Sequence, residues 1–258
     1  MSNRGDDMRM FGDREIDFIE NFRMLKSEEI AILGNVDKTE RIINIINNIK
    51  DWIDSSGKDQ IPPDFYNEKE KIMLEVMRVD DHGYKKHGKI INPTYKRENE
   101  IRKELEEKGF DKLFPNAKLI ATVDTGLPTK EDHNYEYYYN NFERTIKHHC
   151  ERIENYRNNH KDYKLIFFVH DESTAYIEAE SVDEIGVYGK LHLHYFDKKF
   201  VECFLNENID YFVWMTPYKG YQYAIDEIQP PKATIYDLKN INCELIEYNV
   251  KKMISSEK

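Results

Sequence analysis

The chain has 258 residues, 40% of them hydrophobic and 34% charged, with a formal charge of −11. That size and balance suit a folded domain with a sizeable core and exclude a disordered chain. The acidity excludes a protein whose whole surface coats nucleic acid, because phosphate contacts need clustered Lys and Arg.

No run approaches the roughly 20 apolar residues of a membrane span, and the opening MSNRGDDMRMFGDRE lacks the apolar core of a signal peptide. The expected compartment is the cytoplasm. Cys150, Cys203 and Cys243 are odd in number and scattered, so they are read as reduced thiols rather than a disulfide framework or a zinc-type pair. Richness in Ile, Lys, Asn and Tyr points to the AT-rich genome of a bacterium or phage.

Residues 1–12 read as a flexible tail, and 13–258 as one α/β domain with an N-terminal helical extension at 13–35. In that extension Ile16, Phe18, Ile19, Phe22, Leu25 and Ile30 have helical spacing, and Gly34 with Asn35 supplies a stop. Asp37 or Thr39 is placed to cap a second helix, whose apolar face runs from Ile42 and Ile43 to Trp52 and Ile53. The segment IPPDFYNEKEKIMLEVMRV reads as two strands joined at 67–70.

A helix is predicted over 95–108, a strand from Ala117 (AKLIATVD), a long helix over 135–159 and a strand at KLIFFVHD. A helix at 195–206 and a strand at 209–215 follow, then a polar connection and, in the last 25 or so residues, an edge strand with a short helix. Strands alternating with helices imply a mixed central sheet flanked by helices.

Glu75 stands in the middle of IMLEVM, a strand apolar on both faces, with no basic neighbour on either side. A buried, unpaired carboxylate is costly. With an even-numbered hairpin loop, Asp64 faces Met73 and shares a sheet face with Met73, Glu75 and Met77. Asp64 and Glu75 are then diagonal neighbours, roughly 7 Å apart at Cβ, able to converge on one divalent cation that supplies the missing counter-charge.

Just beyond lies a cationic stretch in which Lys85, Lys86, Lys89, Lys96, Arg97, Arg102 and Lys103 face only Glu98 and Glu100. It is a candidate phosphate-binding segment or a solvated face. Asp80, Asp81 and His82 sit just past the strand end, as further ligands or a polar exit.

An acid in a first helix, then Pro-Asp opening a strand, then an apolar strand carrying Glu-X-Lys, is the pattern of the PD-(D/E)XK nuclease superfamily. This chain resembles it in TERIINIINNI, PPDFY and IMLEVM, over about residues 38–80. The resemblance implies a restriction-endonuclease-like core and metal-dependent phosphodiester hydrolysis. It makes Glu40 the helix acid, Asp64 the Pro-Asp acid and Glu75 the acid of Glu-X-Lys, with Mg²⁺ or Mn²⁺ held by Asp64, Glu75 and Glu40.

The motif lysine is replaced by Met77, which cannot activate water. Lys96 and Lys103, and after them Arg78, are the candidate substitutes. Lys85, Lys86, Lys89, Lys96 and Arg97 would then bind the nucleic-acid backbone. The alternative is a non-catalytic binding protein on the same core, whose acidic surface meets a protein partner.

Other signals point less directly to chemistry. His192 and His194 in KLHLHYFD, with Asp197 or Cys203, have metal-type composition but read better as partly exposed histidines near a helix start. In KHHCE the adjacent His148, His149 and Cys150 diverge around a helix and suit a metal poorly. Gly-rich nucleotide motifs and a Gly-X-Ser-X-Gly elbow are missing.

Overall fold

Three apolar runs that do not alternate with polar residues, IMLEVMRV, KLIFFVHD and YFVWM, form the middle of the main sheet. Such runs are what a strand covered on both faces requires. The computed structural model describes residues 9–12, 14–57, 61–87, 89–114, 117–120, 133–182, 186–220 and 229–256.

In chain order the main elements begin with α1 (Ile16–Arg23), β1 (Ile30–Leu33), α2 (Val36–Asn47), β2 (Ile53–Asp54), β3 (Phe65–Asn67), β4 (Ile72–Val79) and α3 (Pro93–Glu107). Then come α4 (Tyr135–Cys150), α5 (Ile153–Asn159), β5 (Lys164–Asp171), β6 (Tyr176–Val182) and β7 (Val187–Leu191). The last are α6 (Lys198–Phe204), β8 (Tyr211–Met215), β9 (Ala233–Asp237) and β10 (Met253–Ser255).

The seven-stranded sheet has the order β1-β9-β8-β5-β4-β3-β2. β4, β5 and β8 are mutually parallel, β9 is antiparallel to β8, and β3 is antiparallel to β4. This is the mixed sheet expected from the sequence. A separate three-stranded sheet joins β7, β6 and β10.

Each face of the main sheet has its own core. On one, Ile42 and Ile46 of α2 and Phe18, Ile19 and Phe22 of α1 cluster with Phe65, Ile72, Leu74 and Val76. On the other, Tyr135, Tyr138, Phe142 and Ile146, a stripe at helical spacing along α4, cluster with Met73, Met77, Phe167, Phe212 and Trp214. Period two in β4 therefore sends Glu75 toward α4 and α5, on the side of Met73 and Met77.

Several boundaries differ from expectation. Ile30–Leu33 is a strand rather than the end of a helix, parallel to β9. Gly34 allows this close approach: its φ is +127°, and a Cβ there would lie 2.8 Å from the Cβ of Asp237. Asn35, not Asp37 or Thr39, caps α2 by accepting from Lys38 N–H.

The predicted 135–159 helix breaks into α4 and α5. Arg9–Met10, read as tail, pairs in parallel with Lys118–Leu119, and the rest of the strand expected from Ala117 falls largely outside the described residues. Among the described residues no helix is long and apolar enough to cross a membrane.

Candidate active site

The β3–β4 hairpin pairs Phe65 with Leu74, Tyr66 with Met73 and Asn67 with Ile72. The register is two residues away from the expected one, since 68–71 all lie in the loop. Asn67 Oδ1 accepts from Glu70 N–H, and Lys71 turns the chain with φ at +51°. A shift of two preserves the face of every side chain. It also brings Asp64 opposite Glu75 instead of Met73.

The two acids interlock through the backbone: Asp64 N–H donates to Glu75 Oε2 at 3.3 Å, and Val76 N–H donates to Asp64 Oδ2 at 2.8 Å. Glu75 is 4% exposed. Its Oε1 accepts from the Tyr156 hydroxyl at 2.9 Å and lies 2.9 Å from His149 Nδ1. His149 comes from the last turn of α4 and Tyr156 from α5, sequence separations of 74 and 81 residues.

Among the described residues no Lys or Arg forms an ion pair with either acid. Burial, and then the charge of Glu75, push the Asp64 carboxyl up to about 8, with Glu15 and Asp54 adding to the effect and the Val76 amide opposing it. Burial and Glu75 likewise raise the Tyr156 phenol, so it stays a donor. The donor types suit a hard divalent cation: two carboxylates share one sheet face, each accepting an N–H from the other's strand, and an arriving positive charge would favour the ionised form of Asp64.

Met77 is buried in the core, so no cation stands at the motif-lysine position. His149 is the nearest basic side chain to Glu75 that the structure describes. Neither His149 nor Tyr156 is among the candidate site residues read from the sequence.

The remaining sequence-predicted residues lie elsewhere. Glu40 is exposed on α2, which packs on the opposite sheet face, so it does not join the pair. Lys96 and Lys103 are exposed on α3, facing Glu100 and Glu107 one turn along; no described contact joins them to Asp64 or Glu75.

Arg78 is held by Glu98 and Glu172. Arg97 is paired with Glu100 and Glu104, and Lys89 is exposed. Lys85 and Lys86 stand on the strand Tyr84–Lys86, and their side chains lie outside the described residues. Much of the cationic stretch is thus balanced within its own helix.

A second polar centre occupies the C-terminal ends of β4 and β5, the end of parallel strands where ligands of α/β sheets usually bind. Asp81 is fully buried; Oδ2 accepts from Thr174 N–H at 3.1 Å and Tyr176 OH at 2.6 Å, and Oδ1 lies 3.1 Å from His133 Nδ1. Burial favours its protonated form, but His133, His82 and the Tyr176 hydroxyl outweigh that and hold the carboxyl below the usual range.

Next to it a cavity of about 550 Å³ is lined by Arg78, Asp80, His82, Asn92, Asn141 and Arg144, among others. Burial raises Asp80 in its wall to about 6, against the opposing charges of His82 and Arg78.

Behind the strand ends Asp171 accepts from Tyr138 OH (2.5 Å), Trp214 Nε1 (2.8 Å) and Ser173 Oγ (2.6 Å), with Lys219 Nζ at 3.6 Å. Both charged groups are buried and partnered, the mark of a structural network. His192 and His194, expected to be partly exposed, are buried at 2% and 1%. His192 Nε2 sits 2.7 Å from Asp197 Oδ2, which also accepts from Tyr135. Compared with known proteins, the chain matches no family model, no curated protein and no solved structure.

Proposed function

We propose that this chain is a cytoplasmic, metal-dependent phosphodiester hydrolase acting on nucleic acid, with Asp64 and Glu75 as ligands of Mg²⁺ or Mn²⁺. The observation that carries the reading is the interlocking of two carboxylates on one sheet face through backbone N–H groups, with Asp64 held up to about 8, where no Lys or Arg among the described residues balances them. The likeness of PPDFY and IMLEVM to PD-(D/E)XK motifs supports the same assignment.

When bound, the cation supplies Lewis-acid stabilisation to the phosphodiester and to the oxygen it releases. The chain's own residues prepare the place for it. The Asp64 and Val76 amides fix one oxygen of each acid, and the Tyr156 hydroxyl orients the other oxygen of Glu75. His149, against that same oxygen, provides the basic nitrogen that Met77 cannot.

The test is cleavage of labelled single- and double-stranded DNA and RNA with Mg²⁺, with Mn²⁺ and with chelator. Metal-dependent cleavage abolished in Asp64→Asn and Glu75→Gln, and slowed about 10- to 100-fold in His149→Ala, is the expected result. Cleavage indifferent to both acid substitutions would overturn the assignment.

The buried Met77 and the locally paired Lys96 and Lys103 favour a second reading: a binding protein that keeps the core without the reaction. Its signature is nucleic-acid or protein binding that survives both acid substitutions, with every substrate left intact.

A further inference from the structure

We propose that Asp81, His82 and His133 form a separate, nitrogen-rich metal site that takes a Zn²⁺-class ion, reached from the cavity at the C-terminal end of β4. The site goes beyond the hydrolase reading, since it uses imidazoles instead of the Asp64–Glu75 pair and can exist whether or not that pair is active.

The placement starts with the fold. Asp81 and His82 leave β4 directly, the chain departs for some 50 residues, and it returns at His133 to begin α4. The return is pinned to the departure, because Asn134 N–H donates to the Asp81 carbonyl at 3.4 Å while the Asn134 side chain caps α4. His133 is thereby set against Asp81.

The donor atoms then converge. Asp81 Oδ1 faces His133 Nδ1 at 3.1 Å and His82 Nδ1 at 4.0 Å, and the imidazole centroids are 5.0 Å apart. One donor atom from each residue lies within 4.8 Å of the other two. Bonds of zinc to nitrogen and oxygen near 2.0 to 2.2 Å, at tetrahedral angles, separate neighbouring donors by about 3.3 to 3.6 Å, between the two measured distances. A plain ion pair needs one imidazole; here two turn the same ring nitrogen to one carboxylate oxygen.

The support behind the donors is what a metal ligand needs. Thr174 N–H and Tyr176 OH hold Asp81 Oδ2, which fixes the carboxylate plane and leaves Oδ1 facing the imidazoles. The histidine side chains remain 16% and 14% exposed, and His82 also lines the cavity, so an ion and an exchangeable fourth ligand have a way in. Three protein ligands with one position left over is the arrangement of catalytic rather than structural zinc.

The experiment uses full-length protein without a histidine tag, stripped with chelator. It is titrated with Zn²⁺ by calorimetry and with Co²⁺ by visible absorption. The expected result is one tightest-binding equivalent of Zn²⁺, whatever the hairpin acids take up more weakly, with the intense absorption of four-coordinate Co²⁺. Affinity should fall at least about tenfold in His133→Ala and in His82→Gln, and stay unchanged in Glu75→Gln.

His82→Gln, at the cavity wall, keeps the test alive if His133→Ala misfolds. Absence of binding would overturn the proposal. So would an affinity that both histidine variants retain, or one that Glu75→Gln alone removes.

Discussion

Glu75 is tolerable inside a strand because a phenol, an imidazole and an amide reach its carboxylate. Asp64, opposite, has the Val76 amide and a negative neighbour, so it favours its proton. The sign of the consequence is definite: a carboxyl whose folded-state pKa is raised helps folding below its unfolded value. That help is lost as pH climbs toward the folded value.

In metal-free protein the Asp64 contribution therefore declines from about pH 4 to about pH 8. Asp64→Asn should gain on the wild type across that interval, as read by urea denaturation at a series of pH values, and added Mn²⁺ should restore the wild type alone. A gap that closes as pH rises would show that Asp64 is not strained in this way. The pairing of Asp64 with Glu75 was legible in the sequence because side-chain alternation survives a two-residue register shift. His149 and Tyr156 were not, since two helices deliver them from far along the chain.

Among the elements, the ends of β4, β5 and β8 gather the buried Asp81, Asp171, Ser173, Thr174 and Lys219, and the Asp171–Lys219 network ties them together. Tyr138 reaches Asp171 from α4, Trp214 from β8, and Lys219 from beyond β8, donating also to the Thr174 carbonyl at 3.0 Å. Asp171→Ala strands a buried ammonium, a phenol and an indole. It should cost about 3 to 5 kcal/mol in chemical denaturation. Lys219→Met should cost less, because Asp171 keeps its other donors; equal losses would mean that the ion pair dominates.

β5 was readable to the residue because a continuous apolar run of five, Leu165–Val169, bounded by Lys164 on one side and His170 and Asp171 on the other, is too short for a buried helix and the right length for a buried strand. IAIL at Ile30–Leu33 is too short for periodicity to separate strand from helix, and the preceding helix pattern absorbed it. The β6–β7 hairpin escaped notice because most of its side chains are half-buried or exposed and its register slips between Ala179 and Ser181.

At the scale of the whole molecule, the mixed sheet covered on both faces follows from the alternation of apolar runs and amphipathic stripes. The insertion of β9 between β8 and β1 does not, since it is a long-range pairing that no local pattern announces. The same sheet separates the helix acid Glu40 from the carboxylate pair and concentrates its polar groups in two places, the hairpin acids and the strand ends.

Whether the hairpin acids hold a divalent ion decides the function proposed for the whole molecule. Anomalous diffraction at the manganese edge, from crystals soaked in Mn²⁺, tests it most directly. The predicted result is a peak about 2 Å from carboxylate oxygens of both Asp64 and Glu75. Well-ordered acids with no peak between them, at a concentration that fills any other site in the same crystal, would contradict it.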